Sequence, residues 1–495
     1  MKAIRQPDTW VLGTVLVCIC VALLALQPVA HGAPRQAASQ RPNIVFVLTD
    51  DLSWNLVQYM PHVLQLERQG VTFSRYIVTD SLCCPSRSSI FTGLLPHDTG
   101  VFKNTGSDGG YYAFLAHGLE SKTFASDIQP TGYRTSMMGK YLNGYEPSSL
   151  YVPAGWSDWH VAGEGYPEFN YGLNENGKVS HFGGRSNPSN YLTDVLAARG
   201  TSFIGQAADA HQPFVREVAT FAPHAPYTPA PRDATRFPGL KAPRAPSFDQ
   251  NNVNPPPWLG NRPPLARKQI KKIDTGFRMR VQAVQAVDDL LGRLEATLAA
   301  RGLTGSTYIV FSSDNGYHMG QYRLLPGKMT TFDTDIRVPL IVAGPNVPGG
   351  RTLGQIAENT DLSPTFVQLT GGAPSQSVDG HSLVPLLSGR PVPAWRTAAL
   401  IEHHGPDTTI TDPDYENGKL GGNPPTYEAI RLANAVYVEY IDGSREYYRI
   451  DRDPYERVNV YSQLGASERA QLHATVGMLS TCHGATSCWA AGRPS

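Results

Sequence analysis

The sequence has no excess of charge of either sign, because its 495 residues include 42 Lys plus Arg and 42 Asp plus Glu. This balance argues against a nucleic-acid binder that works through a basic surface. Internal repeats and coiled-coil heptads are also missing, so the chain is not built from a repeated unit. Charged residues make up only 17% and hydrophobic residues 41%, a composition that excludes a mainly disordered chain.

The N-terminus has the pattern of a targeting segment. Lys2 and Arg5 precede an uncharged apolar run at residues 10–26, and small residues follow near position 32. This pattern predicts a secretory signal peptide at residues 1–32 and a flexible lead-in at residues 33–40. A retained membrane anchor is the alternative, since the run is near the lower length limit for spanning. The signal-peptide interpretation predicts a secreted protein with no stable membrane insertion after cleavage.

Four cysteines follow the predicted signal peptide: Cys83, Cys84, Cys482 and Cys488. The last two enclose a short loop, and in an exported protein they are expected to form a disulfide. Cys83 and Cys84 are adjacent, and a disulfide between neighbours in sequence is strained and rare. The adjacent pair therefore needs another explanation.

Continuous apolar runs at residues 43–48, 306–311 and 338–344 are typical of strands buried on both faces, as in a parallel sheet. Between them, apolar residues recur every three or four positions, which predicts a helix from about residue 278 to 301. Helices that alternate with buried strands predict an α/β fold, with helices sandwiching a large, mixed, mostly parallel sheet.

The spacing of apolar residues changes near residue 391. Two alternating runs at residues 435–440 and 445–450 are split by a turn and predict a β-hairpin. A final helix is expected near residues 466–479. The length of the chain favours one large domain plus a smaller one. We therefore predict a large domain at residues 41–390 and a smaller antiparallel α+β domain at residues 391–495, with residues 237–267 as a long Pro-rich surface loop.

Polar pairs follow two of the predicted buried strands. Asp50 and Asp51 end the first, and Asp314 and Asn315 end the second. Ligands bind at the carboxyl ends of strands in such sheets, and hard oxygen donors suit Ca²⁺ or Mg²⁺ better than zinc. The alternative is that these residues are ordinary turn residues and helix caps.

Cys83 and Cys84 begin the segment Leu-Cys-Cys-Pro-Ser-Arg, and Pro85 suits an early position in a helix. A helix N-terminus lowers the pKa of a thiol, and Arg87 adds a positive charge. The segment is a candidate nucleophile site. A buried structural cysteine pair before a helix is the alternative.

Here the sequence resembles the sulfatase family. Cys83-x-Pro85-Ser86-Arg87 with Thr92-Gly93 is similar to the family's signature, in which the first Cys becomes Cα-formylglycine. Further segments match in order over residues 41–390, and they contain Asp50-Asp51, Gly139-Lys140, Pro223-His224, Asp314-Asn315, Gly327-Lys328 and Asp379-Gly380. The resemblance implies an alkaline phosphatase-like fold and an enzyme that hydrolyses sulfate esters.

The resemblance also implies the roles of the site residues. One Ca²⁺ would be held by Asp50, Asp51, Asp314, Asn315 and the modified Cys83. A formylglycine-generating enzyme would be a partner during biosynthesis. The hydrated aldehyde, a gem-diol, would attack sulfur and form a covalent sulfo-enzyme, which then eliminates sulfate. Lys140, Lys328 and Arg87 would offset negative charge, and His224 would protonate the leaving alcohol.

Within the family, several segments are similar to N-acetylglucosamine-6-sulfatases and related heparan sulfatases. They favour an aryl sulfate or a 6-O-sulfated N-acetylglucosamine of a glycan as the substrate. The common family motif places a His shortly after Lys140, whereas Tyr141, Leu142 and Asn143 follow here. The base of the desulfation step is therefore open, and His318 is a candidate. His97 is interpreted as structural.

Two other functions stay open at this point. Phosphate or phosphonate ester hydrolases of the same superfamily are one alternative, because phosphonate monoester hydrolases can also carry formylglycine. A catalytically dead carbohydrate-binding relative is the other, and an unmodified Cys83 would favour it. A lone Lys140 or Lys328 would normally be a solvated surface residue, and only the flanking motifs argue otherwise.

Overall fold

The computed structural model of the chain describes residues 41–493 except 393, 410–411, 413 and 416–417. The predicted signal peptide and lead-in lie outside the described residues. Within the described part, no helix has both the length and the apolar character needed to cross a lipid bilayer.

The strands of the described residues form two sheets. In chain order they are β1 Asn43–Thr49, β2 Val71–Ile77, β3 Arg134–Lys140, β4 Asp158–Ala162, β5 Tyr171–Glu175, β6 Val179–Phe182, β7 Phe214–Ala219, β8 Thr307–Ser313, β9 Leu340–Ala343, β10 Arg351–Glu358, β11 Ala398–His403, β12 Tyr427–Leu432, β13 Ala435–Tyr440 and β14 Arg445–Arg449.

The helices pack around these sheets. In chain order they are α1 Trp54–Val57, α2 Pro61–Gln69, α3 Cys83–Thr92, α4 Pro96–Thr99, α5 Gly110–Ala116, α6 Phe124–Ile128, α7 Leu192–Asp209, α8 Arg267–Ala300, α9 Asp333–Ile336, α10 Leu362–Leu369, α11 Val384–Leu387, α12 Ala466–Leu479 and α13 Gly484–Ala491.

The larger sheet has ten strands in the order β10-β2-β9-β8-β1-β7-β3-β4-β5-β6. The central strands β8, β1, β7 and β3 pair in parallel. This confirms the predicted mixed, mostly parallel sheet. The apolar run at residues 338–344 contains β9, which pairs antiparallel with both β2 and β8. Its apolar character reports burial on both faces and not the direction of the strand.

Strand β1 shows why the first apolar run is continuous. Ile44, Phe46 and Leu48 pack into the core on one face of the sheet. Val45 and Val47 pack into the core on the other face. Because successive side chains of a strand point to opposite faces, a strand covered on both sides needs apolar residues at every position.

Helix α8 begins eleven residues earlier than predicted. Its first residues are mostly basic and polar, so they carry no obvious apolar repeat. The buried Ile273 and Phe277 nevertheless extend the stripe that continues with Val281 and Val284 at a spacing of three or four. Residues 237–267 contain no helix or strand in the described part before the first residue of α8, as the loop prediction requires.

The C-terminal part contains the second sheet, with the antiparallel order β11-β12-β13-β14. The predicted hairpin is confirmed as β13 and β14, and the predicted final helix is α12, which α13 follows. Cys482 and Cys488 form the expected disulfide. The two sheets share one apolar core, because Ile401 and Val438 of the second sheet belong to the same cluster as Phe46 of the larger sheet. The boundary between residues 390 and 391 stays a prediction.

Candidate active site

Four neighbouring parallel strands bring the candidate residues to one edge of the larger sheet. Asp50 and Asp51 follow β1, and Asp314 follows β8, whose residue Ser313 is in register with Thr49 of β1. Lys140 is the last residue of β3. His224 lies in the loop after β7. These side chains are all at most 3% exposed, so the lysine is not a solvated surface residue.

Gly139 lets β3 and β7 approach closely beside this edge. Its φ is +96°, and a Cβ atom at this position would lie 1.8 Å from the carbonyl oxygen of Ala219. Only glycine fits both the backbone conformation and the space. The residue therefore fixes the end of β3, from which the next side chain, Lys140, enters the site.

Cys83 is the first residue of α3, and its side chain enters the site. Its Sγ atom lies 3.2 Å from Oδ1 of Asp50 and 2.9 Å from Nζ of Lys328. Cys84 belongs to the apolar core, and its backbone N–H donates to Oδ1 of Asn104. Both thiols are free and buried. The adjacent cysteines are thus explained: one faces the site and the other packs in the core.

The pKa of the Cys83 thiol is raised well above its usual value. Burial is the largest cause, and the carboxylates of Asp414 and Asp50 add to it, while Lys140 and Lys328 act in the opposite direction. This direction is opposite to what the helix N-terminus alone predicts. An unmodified thiol here stays protonated at neutral pH and is a poor nucleophile.

Each of three buried carboxylates has its own cation. Nζ of Lys140 lies 2.6 Å from Oδ2 of Asp50, and Nζ of Lys328 lies 2.7 Å from Oδ1 of Asp51. Nε of Arg87 lies 2.8 Å from Oδ2 of Asp314. A further N–H of Arg87 donates to the carbonyl of Lys140 over 2.9 Å. The six charged groups thereby hold one another in place where bulk water is excluded.

Burial opposes the charged form of both lysines, but the neighbouring anions outweigh it. The pKa of Lys140 is raised well above its usual value, chiefly by Asp50, and that of Lys328 by Asp414 and Asp51. Burial likewise opposes ionisation of Asp314, yet Arg87 lowers its pKa. Both lysines are therefore cations, and each is paired with a buried carboxylate.

The carboxylates also form a candidate metal centre. Within the described residues, ligand atoms of Asp50, Asp51, Cys83 and His224 all lie within 4.8 Å of one another. The amide of Asn315 donates to Oδ1 of Asp51 over 2.6 Å. The buried Oδ2 of Asp51 and Oδ1 of Asn315 have no hydrogen-bond partner among the described residues. Unpartnered buried oxygens are costly unless a ligand satisfies them.

His224 contacts a carboxylate that the sequence motifs did not indicate. Its Nδ1 lies 2.7 Å from the carbonyl oxygen of Ala225, and its Nε2 lies 2.6 Å from Oδ1 of Asp414. The same oxygen lies 2.7 Å from Nζ of Lys328. Burial opposes the charged imidazole, but Asp51, Asp50 and Asp414 together raise the pKa of His224 to about 9.

Asp414 comes from the connection between β11 and β12, in the second sheet. No motif or periodicity marks this stretch of the sequence, so only the tertiary structure shows that the residue belongs to the site. Burial opposes its charge, but Lys328 and His224 lower its pKa well below the usual value. Asp414 is therefore an ionised carboxylate inside the site.

His318 lies in a neighbouring network. Its Nδ1 is 2.9 Å from Oδ2 of Asp335, and its Nε2 is 2.9 Å from the carbonyl oxygen of Gly421. Both ring nitrogens therefore have partners other than Cys83 and its surrounding charges. These contacts connect the loop after β8 to the connection between β11 and β12.

Comparisons with known proteins agree on the family. Residues 42–373 match the family model described as Sulfatase, and residues 320–480 match the model described as N-sulphoglucosamine sulphohydrolase, C-terminal. The N-acetylglucosamine-6-sulfatase of Capra hircus is 33% identical over 477 residues, which cover 90% of this chain and 85% of that protein.

Solved structures share the fold at lower identity. One is a protein in complex with its substrate D-glucosamine-2-N,6-O-disulfate, with a TM-score of 0.73, 21% identity, and coverage of 88% of this chain and 97% of that chain. The phosphonate monoester hydrolase of Agrobacterium radiobacter has a TM-score of 0.65 and 21% identity, with coverage of 87% and 93%. At these identities the likeness establishes the fold alone.

Proposed function

The chain belongs to the sulfatase family of sulfuric ester hydrolases, and we propose that it removes 6-O-sulfate groups from N-acetylglucosamine and related glucosamine residues of a glycan. The main support for this proposal is the cluster around Cys83, in which Lys140, Lys328 and the strand-end carboxylates converge. The relative from Capra hircus, named as an N-acetylglucosamine-6-sulfatase, supports the choice of the sugar ester over an aryl sulfate.

We propose one Ca²⁺ as the metal, with Asp50, Asp51, Asp314, Asn315 and the modified Cys83 as its ligands. The donor set fits, because carboxylate and amide oxygens suit a hard cation. The two unpartnered oxygens of Asp51 and Asn315 support this assignment. When bound, the ion would polarise the sulfate ester and favour the ionised nucleophile. Lys140 and Lys328 already neutralise part of the ligand charge.

We propose that a formylglycine-generating enzyme converts Cys83 during biosynthesis. The position of Cys83 supports this proposal, because its side chain enters the site between Asp50 and Lys328. The modified side chain would supply a hydrated aldehyde. Attack of one hydroxyl on sulfur would break the bond to the alcohol, and loss of the proton of the other hydroxyl would re-form the aldehyde as the carbon–oxygen bond to sulfate breaks. Cys84 is not suited to this role, because it lies in the apolar core.

The side chains of the chain itself then have distinct tasks. Lys140 and Lys328 stabilise negative charge on the nucleophile and on the sulfate oxygens. Arg87 holds Asp314 and the end of β3 in place through its two contacts. His224 is the proposed acid: the carbonyl of Ala225 fixes its Nδ1, and its Nε2, which contacts Asp414, would deliver a proton to the leaving alcohol.

His318 stays the candidate base for release of sulfate. To act, its Nε2 would have to leave the carbonyl of Gly421. Rapid-mixing kinetics of His318→Ala test this role: a burst of alcohol followed by slow sulfate release supports it. A fall in stability with no burst would show that His318 only connects two loops.

We also propose that the protein is exported, with residues 1–32 as a cleaved signal peptide, and that it acts on extracellular sulfated glycans. The basic start, the apolar run and the small residues near position 32 support this. Sequencing the N-terminus of protein collected from the culture medium tests it. An intact N-terminus in the membrane fraction would favour a retained anchor.

A phosphonate or phosphate ester hydrolase is the second candidate, because phosphonate monoester hydrolases can also carry formylglycine. The deciding experiment begins with the mass of the tryptic peptide 76–87 from protein made in its native host. It should show an aldehyde or its hydrate at Cys83, with Cys84 as a thiol. Glucosamine 6-sulfate, 4-nitrophenyl sulfate and phenyl phosphonate esters are then compared.

The three outcomes separate the candidates. A clear preference in kcat/KM for the sugar sulfate supports the proposal. A preference for the phosphonate would assign the second candidate. Two unmodified thiols in every molecule would instead support a catalytically dead, carbohydrate-binding protein.

A further inference from the structure

Asp414 is the charged residue of the site that the proposed mechanism does not use. Its side chain is 2% exposed, and one oxygen contacts both Lys328 and His224. These are the residues proposed to bind the sulfate and to protonate the leaving oxygen. Asp414 therefore lies beside both the residue assigned to the sulfate and the residue assigned to the leaving oxygen.

The carboxylate is held in place from two directions. Its backbone N–H donates to Oδ1 of Asp412 over 2.9 Å. Its Oδ2 accepts a hydrogen bond from the side-chain amide of Asn104. Asn104 in turn accepts from the backbone N–H of Cys84, over 2.9 Å, at the start of α3. Asp414 is thus fixed relative to the helix that carries Cys83, as a preorganised group should be.

Asp414 carries the same negative charge as a sulfate ester and therefore repels it. A further carboxylate beside the anion lowers affinity unless it contacts something else on the substrate. A carboxylate accepts hydrogen bonds strongly from hydroxyl and ammonium groups. The alcohol part of a sugar ester carries such donors close to the sulfate, and the alcohol part of a simple alkyl or aryl ester lacks them.

We propose that Asp414 is a specificity-determining residue, which accepts a hydrogen bond from a hydroxyl or ammonium group on the alcohol part of the substrate. This inference rests on the proposed function and deepens it. It assigns the preference for an amino sugar ester to a residue of the connection between β11 and β12. This role would explain why that connection places a carboxylate at the catalytic edge of the first sheet.

The test compares two primary sulfate esters that differ in hydrogen-bond donors. Glucosamine 6-sulfate is the substrate, and cyclohexylmethyl sulfate, which has no donor, is the competitor. In Asp414→Ala we expect KM for the sugar ester to rise about tenfold or more, because a charged hydrogen bond is lost. The inhibition constant of cyclohexylmethyl sulfate should change less than about threefold.

Asp414→Asn keeps one oxygen acceptor and the shape of the side chain. If the substrate group is a hydroxyl, KM of this variant should return part of the way to the wild-type value. If it is an ammonium group, KM should rise as much as in Asp414→Ala. Asp451→Asn removes the same charge from an exposed turn and should leave both constants unchanged. Each variant is checked for its aldehyde content at Cys83 and for its unfolding temperature.

Three results would overturn the inference. A fall in kcat alone would mean that Asp414 acts only through His224. A parallel change in both constants would mean a general effect on the anion site, and a lower KM would mean that the carboxylate merely competes with sulfate. If wild-type protein with a complete aldehyde releases no sulfate from any sugar ester, the proposed function itself has failed, and this inference falls with it.

Discussion

Nζ of Lys328 lies 2.9 Å from Sγ of Cys83, although 245 residues separate the two in sequence. The lysine is 1% exposed and also contacts Asp51 and Asp414. A cation held at this position lies beside the side chain that, once converted, would supply the hydroxyl nucleophile of the proposed reaction. Its charge is maintained because the surrounding carboxylates raise its pKa despite its burial.

The first prediction concerns this lysine. Lys328→Met should lower kcat by about 10²- to 10³-fold, because one preorganised charge that stabilises the transition state is removed. Steady-state kinetics with glucosamine 6-sulfate give the measurement. Lys178→Met, at an exposed position, is the control and should retain full activity. A kcat for Lys328→Met within threefold of wild type would refute the role.

The second prediction separates the adjacent cysteines. Cys83→Ser should abolish turnover, since the aldehyde cannot form from it in the usual way and a serine ester of sulfate is hard to hydrolyse. Cys84→Ser should keep the aldehyde at Cys83 and most of the activity. It should lose about 1–2 kcal/mol of unfolding free energy, because a buried thiol is replaced by a more polar hydroxyl.

Peptide masses and denaturant unfolding of the two variants check this prediction. Equal loss of activity in both variants, with the aldehyde intact in Cys84→Ser, would contradict the assignment of Cys84 to the core. An aldehyde at position 84 would contradict it more directly.

The third prediction concerns removal of the metal. Chelation of Ca²⁺ should lower the unfolding temperature, because a ligand that binds only the folded state adds about 2.7 kcal/mol at a hundredfold excess over its Kd. The protein should stay folded after chelation, since Lys140, Lys328 and Arg87 still balance the carboxylates. Calorimetry at a series of Ca²⁺ concentrations provides the measurement.

Asp314→Asn is the matched variant for the metal, and its unfolding temperature should respond less to Ca²⁺ than that of wild type. An unfolding temperature that is the same with chelator and with excess Ca²⁺ would count against the site. A larger stabilisation by Zn²⁺ would contradict the choice of a hard cation.

Much of the fold was predictable from local sequence because burial leaves a local pattern. Strand β1 is apolar at every position from Ile44 to Leu48 since it is covered on both faces, and this run alone placed Asp50 and Asp51 at a strand end. The direction of β9 was not predictable, because a strand buried on both faces is equally apolar whether parallel or antiparallel. The start of α8 was missed because its first turns are basic and carry little apolar surface.

The site was predictable only where residues stand in motifs. Cys83, Lys140 and Lys328 each lie in a short segment that the family resemblance identifies. Asp414 lies in an irregular connection, and its position depends on contacts with Lys328 and His224 that are far away in sequence. Such contacts leave no local pattern, and the residue was therefore missed.

The fourth prediction concerns pH and a histidine outside the site. Nδ1 of His97 lies 2.9 Å from Oε2 of Glu402, and its Nε2 lies 2.8 Å from the carbonyl oxygen of Cys482. Burial opposes the charged imidazole, but Glu402 and the carbonyl outweigh it and raise the pKa of His97 to about 9. The contacts link α4 to β11 and to the C-terminal disulfide, which agrees with a structural role.

Because the pKa of His97 is higher in the folded than in the unfolded state, the protonated form stabilises the fold. This contribution should be complete below pH about 6.5, the usual value for histidine, and should be lost as pH rises through about 9. Denaturant unfolding between these limits should therefore show a falling free energy in wild type and a flatter profile in His97→Gln. His473→Gln, at an exposed histidine that pairs with Glu439, is the control and should keep the wild-type slope of unfolding free energy against pH. If the His97→Gln profile were as steep as that of wild type, His97 would not be the cause of the slope.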